Sequence, residues 1–338
     1  MTSFYEKWLN YWDEAQQEKS SARRKLDIEE VEWVETPQDA AVGLLIAPET
    51  GFRTWGSETM LAEIPVGWKT GGHSHGEEAI YIVSGAGFSI VDGVRYDWKE
   101  GSSLAIPFGA RHQHFNTGDV PVRYYSAMSV HLEHWVGVHR TTQYETCGKF
   151  TSLPSAEKSA NGLSPDGKRV ALNIEDAYIR VGGEGGGAAQ PQEAPRFEGD
   201  KPLVVGDISG MERFMHTHKH EIREFMRVGR DTNGFEVHQM EISGILTDAP
   251  RTRGGKHAHM EAHLFIVDGE GYSEVDGEKI PWKPGTSVHI QGPQTVHQHF
   301  NESDQYSKML RIAPGIRYFF ERCAKSTFPY LYYDVRQS

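Results

Sequence analysis

Two histidines separated by one residue, His73-Ser74-His75, open one stretch of this chain, and a third, His112, closes it. The arrangement returns as His257-Ala258-His259 with His297, and an asparagine stands four residues after each late histidine, Asn116 and Asn301. In an extended strand, side chains at i and i+2 leave the same face. Each His-x-His pair therefore presents two imidazoles together, and a histidine on a neighbouring strand can complete a three-nitrogen face for a metal. A chain that carries this pattern twice is expected to fold into two strand-rich units, each built around a candidate metal position.

Residues 71–101 set against 255–285 align without a gap at an offset of 184 (255 − 71). The matched positions include His73/His257, His75/His259, Glu77/Glu261, Gly85/Gly269, Asp92-Gly93/Asp276-Gly277 and Trp98-Lys99/Trp282-Lys283. One extra residue precedes the last histidine, so His112 matches His297 at an offset of 185 (297 − 112). Matched turn and ligand chemistry over this length marks an internal repeat. The runs AIYIVSG and HLFIVDG are β-branched and aromatic and end at glycine, and Asp-Gly follows as a hairpin signal. Short strands at regular spacing point to a jelly-roll or barrel. Residues 181–196, rich in Gly, Ala, Pro and Gln, read as a flexible linker. The resulting layout is an N-terminal helical segment (1–30), a first unit (31–180), the linker (181–196) and a second unit (197–338). Tyr5, Trp8, Leu9 and Trp12 form one helical stripe, expected to pack or to form a dimer contact, with an active-site lid as the alternative.

The formal net charge of −12 over 338 residues excludes the basic stripe that a nucleic-acid surface needs. No apolar run approaches the roughly 20 residues of a membrane span, and the charged N-terminus lacks the core of a signal peptide. Cys147 and Cys323 are the only thiols, too few for a disulfide framework. A soluble cytoplasmic protein is expected, with no nucleic-acid or membrane partner. Seventeen histidines are the compositional outlier, and their clustering at strand spacing favours metal or proton chemistry.

The two stretches resemble the paired motifs of the cupin superfamily, G-x5-H-x-H-x(3,4)-E-x6-G and G-x5-P-x-G-x2-H-x3-N. Gly101, Pro107, Gly109, His112 and Asn116 complete the second motif in the first unit; Gly285, His297 and Asn301 fit it in the second. The resemblance implies an all-β fold of two cupin (double-stranded β-helix, jelly-roll) domains with an N-terminal helix. It implies metal ligation by His73, His75 and His112 in one unit and by His257, His259 and His297 in the other. The chain departs from the pattern at the fourth ligand. The usual glutamate position holds Ala79 in the first unit and His263 in the second, while counting back from Gly85 makes Glu78 the candidate. The first unit thus offers three histidines alone or three with Glu78, and the second could offer four histidines.

The order of motifs is also similar to that of the gentisate, salicylate and hydroquinone ring-cleaving dioxygenases, which use three histidines without the glutamate. That resemblance implies Fe(2+), a small hydroxylated aromatic substrate and O2, with three open metal positions for a chelating diol or hydroxy-acid together with oxygen. A manganese bicupin of the oxalate decarboxylase type, using Mn(2+), is the alternative, and a non-catalytic binding or partner subunit is a third class. A homo-oligomer is expected, with a second small subunit also open.

His114 and His299 share the strand face of the late ligands and are candidate acid/base groups or interior hydrogen-bonders. Glu77 and Glu261 could orient a ligand imidazole or lie in solvated turns. Arg53, Trp55 and Arg111 could meet an anionic substrate. The cluster His216-Thr217-His218-Lys219-His220 lies outside both repeats and reads as a polar loop or helix start, and Gly182 to Gly187 lacks the context of a phosphate cradle.

Overall fold

A computed structural model describes residues 3–182, 220–226, 228, 233–254, 256–292, 295–316 and 333–334, with the backbone alone for 178–182, 220–222, 257–259 and 333–334. Most of the expected linker and the histidine cluster at 216–219 lie outside the described residues; of that cluster only the backbone of His220 is seen, in the strand His220–Glu224.

Each unit is a pair of sheets whose central strands run antiparallel. In the first, a six-stranded sheet runs Ala41–Leu44, Glu58–Ile64, Val122–Met128, Glu78–Ser84, Ser102–Ile106, Ala171–Asn173 in spatial order. Facing it is a sheet that contains His73–Ser74, His112–Asn116, Ala86–Val91 and Val94–Lys99. The second unit repeats the plan, with Ala262–Asp268 in its larger sheet and His257–His259 and Thr295–Asn301 in its smaller one. The hairpins turn at Asp92-Gly93 and Asp276-Gly277, whose φ angles are all positive (47°, 82°, 50° and 83°), as a two-residue turn of this hand requires.

The sheets that carry Glu78–Ser84 and Ala262–Asp268 are buried on both faces, which is why AIYIVSG and HLFIVDG read as apolar runs rather than alternations. Ile80, Ile82, Leu104, Ile106 and Tyr124 turn into the first barrel, and Leu264, Ile266, Val288 and Ile290 into the second. The residues between them, Ala79, Tyr81, Tyr125 and Phe265, with Leu310 and Ile312, form a third core where the two sheets meet. Tyr125 and Phe265 lie 5.0 Å apart at the centre of that contact.

The repeat extends beyond the motif regions by an exchange of arms. Residues 25–30, KLDIEE, match 171–176, ALNIED, at an offset of 146 (171 − 25). Each piece is a short strand followed by a single 3-10 turn. Ala171–Asn173 pairs with Ser102–Ile106 of the first barrel, whereas Lys25–Leu26 crosses to the second and pairs with Ser287–Ile290. Both arms make the same contacts. Lys99 meets Glu175 and Lys283 meets Glu29, at 2.8 and 2.6 Å. A Cβ on Gly101 would stand 2.8 Å from Ile174, and one on Gly285 would stand 2.8 Å from Ile28. Both glycines also have positive φ (79° and 86°), so no other residue fits there without strain. The N-terminal segment is thus the cap of the C-terminal barrel. At the expected boundary of 180, the strand Tyr178–Gly182 pairs with His220–Glu224 in the second unit's sheet.

The helix Phe4–Ser21 begins at a capping box formed by Ser3 and Glu6. None of its residues is buried, and Phe4, Tyr5, Trp8, Leu9, Tyr11 and Trp12 are all more than half exposed. Packing against its own chain is therefore not the role of the aromatic stripe. Among the described residues, its last turns are tied down by Lys19 to Asp276 (3.5 Å) and Glu18 to Arg53 (3.0 Å).

Truncation of the chain before Val31 is expected to raise amide exchange in Ser287–Ile290 and Ala262–Asp268 while leaving Ser102–Ile106 protected. Equal loss in both barrels, followed by hydrogen-exchange mass spectrometry, would disprove the exchanged-arm arrangement.

Candidate metal centre

His73 and His112 are directly paired across neighbouring strands, and His75 lies two residues beyond His73. The register brings the three rings together inside the first barrel, with centroids 4.1 to 5.0 Å apart. The Nδ1 of each ring lies against a backbone carbonyl: His73 on Gly71 (2.7 Å), His75 on Gly76 (2.9 Å) and His112 on Ala110 (2.9 Å). A carbonyl oxygen can only accept, so each Nδ1 carries the proton and each Nε2 holds a bare lone pair. All three Nε2 atoms are buried and have no hydrogen-bond partner. Such orphaned acceptors aimed at one point, with the other ring nitrogen held from behind, are what metal ligation requires.

Glu78 joins them. Its Oε1 accepts from the Ser126 hydroxyl, and its Oε2, also without a hydrogen-bond partner, lies 3.6 Å from His75 Nε2 and 3.5 Å from His112 Nε2. The strand alternation explains the shift from the usual motif position: Glu78 faces the lumen with Ile80, while Ala79 faces the neighbouring sheet. Three neutral imidazoles and one carboxylate fit a divalent cation. Burial, with the neighbouring His112 charge second, lowers His73 to about 3, and burial likewise lowers His75.

His114 stands beside this set, with a ring nitrogen within 4.8 Å of ligand atoms of Glu78 and His112. Trp98 Nε1 donates to the Ser89 hydroxyl (2.8 Å), which lies 2.6 Å from His114 Nδ1. Ser89 is fully buried and has no other acceptor among the described residues, so it donates to Nδ1 and leaves the His114 proton on Nε2. Burial lowers His114 to about 3, keeping it a neutral donor. Tyr124, whose ring lies 5.5 Å from that of His114, donates to Asp39 (2.7 Å). The Ser89/Ser273 and Trp98/Trp282 matches inside the repeat were a readable signal for this support, whereas nothing near Asp39 marked it.

In the second barrel His257 pairs with His297 as His73 does with His112, and His297 Nδ1 is held by Thr295 O at 2.9 Å. The side chains of His257 and His259 lie outside the described residues. His299 repeats His114, with Ser273 2.7 Å from its Nδ1. The lumen position that matches Glu78 (78 + 184) is Ala262, so no carboxylate stands there.

The reading of His263 as a fourth ligand is corrected. His263 alternates with Ala262 and Leu264 and so faces away from the lumen. It joins Glu261 and His289 in a second buried cluster at the contact between units. There the ring polarity is reversed: both Nδ1 atoms lack partners, and both Nε2 atoms address Glu261, at 3.2 and 2.7 Å. The Trp55 N–H (3.0 Å) and the Ser57 hydroxyl (3.2 Å) supply two more donors to the same carboxylate. Four donors fill its acceptor positions, which makes this cluster a hydrogen-bonded clamp. Burial opposes ionisation of Glu261, but the bonds from His263 and His289 outweigh it and hold the pKa at about 2. Glu77 does the matching job from the other unit, accepting the N–H groups of His238, Gln239 and Met240 at 2.8, 2.7 and 3.3 Å. Among the described residues, neither glutamate meets an imidazole of the lumen sets. Arg53 and Arg111 point away from the lumen, Arg53 pairing with Glu18 and Arg111 lying over Tyr144 and near Glu145.

The cupin domain model matches residues 60–128 and 244–313, one copy in each barrel; the chain is a bicupin. Over 72 residues, 20% of this chain, it is 38% identical to the uncharacterized protein MJ1618 of Methanocaldococcus jannaschii, a match that spans 58% of that protein. Among solved structures it is similar to salicylate 1,2-dioxygenase from Pseudaminobacter salicylatoxidans, with a TM-score of 0.53 and 13% identity over 78% of this chain and 73% of that one. It is also similar to a variant of Bacillus subtilis oxalate decarboxylase, with a TM-score of 0.55 and 12% identity over 90% and 84%. At these identities the likeness shows the shared fold. No helix among the described residues is long and apolar enough to cross a membrane.

His112→Ala is expected to remove the first barrel's metal, measured as lost metal per chain by plasma mass spectrometry; unchanged content would disprove the ligand set. The metal-free protein should also lose stability as pH falls from about 6.5 towards 3. The unfolded chain takes up protons at the ordinary histidine pKa, while folded His73 and His114 refuse them. The loss is about 1.4 kcal/mol per pH unit for each such histidine, read from urea midpoints between pH 7 and 5.

Proposed function

We propose that this bicupin is an Fe(2+)-dependent dioxygenase that cleaves a hydroxylated aromatic ring, with the first barrel as the working site. The observation that carries this reading is the convergence of three bare Nε2 lone pairs and one free Glu78 oxygen in a buried lumen, with the His114 N–H beside them. When bound, iron there supplies electrons to O2 and a Lewis-acidic seat for a phenolate oxygen. The chain does the rest. Ile80, Ile106, Trp98 and Tyr124 give the lumen an apolar and aromatic lining that suits a planar ring. The same lining excludes water from the reacting atoms. His114 holds a proton on Nε2 where it can donate a hydrogen bond to an oxygen that gains negative charge. Ser126 fixes the Glu78 carboxylate from behind.

A second reading, a manganese decarboxylase acting on a small dicarboxylate, is favoured by one observation, the presence of Glu78 among the ligands. Metal analysis after anaerobic purification separates the two, with iron expected. O2 uptake by the iron-loaded protein should accompany loss of hydroquinone, gentisate, catechol or salicylate, and His114→Gln should slow it at least tenfold. Release of CO2 from oxalate with no O2 uptake on any of the four aromatics would replace this reading with the second.

A further inference from the structure

The net charge at the first centre limits what it can hold. A divalent ion that meets His73, His75, His112 and Glu78 has three neutral partners and one carboxylate, leaving one positive charge unmatched. No lysine or arginine is among the buried residues described, so the described residues supply no further cation to the lumen. What stands near the ligands is acidic or neutral: His114, Tyr124 with the Asp39 carboxyl behind it, and Glu133, which is close enough to His75 to act on its charge and is itself paired with His139 at 3.1 Å. Asp39 is close enough to feel the charges of Glu78 and His112, and burial raises its pKa to about 7. An unmatched charge in such surroundings is strongly disfavoured.

We propose that the first barrel selects ligands by charge, binding a single anion through one oxygen, such as the monophenolate of a hydroquinone-type ring, in preference to a chelating dianion. One negative charge brings the ion, Glu78 and ligand to neutrality, whereas the carboxylate and phenolate of gentisate or salicylate together overshoot it. Glu78 is the residue that sets this limit, and Asp39 reinforces it by presenting a second carboxyl to any further negative group. The second barrel lacks the limit because Ala262 stands where Glu78 does. The aromatic identity of the ligand rests on the function proposed above; the charge preference does not.

The test uses matched ligands of one shape and two charges. Anaerobic calorimetric titration of the metal-loaded His297→Ala protein, which isolates the first barrel's ion, would compare gentisate with its amide and malonate with malonamate. The amide is expected to bind at least tenfold more tightly in both pairs. A preference for malonamate with no binding of either aromatic would keep the charge rule and remove the ring-cleavage reading. Equal or tighter binding of the dianion in either pair, or no binding of any of the four, would overturn the proposal. Glu78→Gln that retains its ion on metal analysis should shift the preference towards the dianion by at least tenfold, and Asp39→Asn should do so by less.

Discussion

The contact between the six-stranded sheet of the first unit and the seven-stranded sheet of the second, through Tyr125 against Phe265, is the constraint on which the rest of the molecule depends. It gives each sheet a second buried face, so the strands that carry the site have apolar residues on both sides and one allowed register. A slip of one residue would exchange Glu78 for Ala79 and turn the fourth ligand out of the lumen. The apolar contact thereby fixes which chemistry faces the metal. Its polar edges are closed by Glu77 and Glu261, each accepting donors from the opposite unit, and its outer edges by the exchanged arms.

The two histidine-rich clusters show how identical residue types are put to opposite uses. For His73, His75 and His112 in the lumen, backbone carbonyls take each Nδ1 proton and leave the Nε2 atoms bare. At the contact between units no carbonyl stands behind His263 or His289, and their Nε2 atoms serve Glu261 instead. The hydrogen bond on the far side of the ring decides whether an imidazole is a ligand or a donor. Electrostatics follows the same division. One cluster offers bare acceptors that suit a cation, whereas in the other four donors already meet the carboxylate.

The duplication makes the two halves look equivalent, and the structure shows where they part. Glu78 has Ala262 as its counterpart, and Ala79 has His263. A carboxylate in one lumen and an alanine in the other give the two barrels different charge at the same geometric point. The arms add a second asymmetry of origin, since the residues that cap the C-terminal barrel come from the start of the chain. The match of LDIEE to LNIED was visible, but its offset of 146 differs from the 184 of the motifs, so alignment of the motif regions alone passes over it.

Period-two spacing, glycine turns and the repeated histidines determined the two β units, the metal-bearing strands and the identity of His73, His75 and His112, because those relations are local to a strand and its neighbour. Glu78 stood within the readable alternatives for the same reason. Tertiary structure alone decided that His263 leaves the lumen, that Asp39 stands behind Tyr124, and that residues 25–30 serve the distant barrel. Each of these depends on which face of a strand meets which other part of the chain, and sequence periodicity says that a face is buried without saying against what.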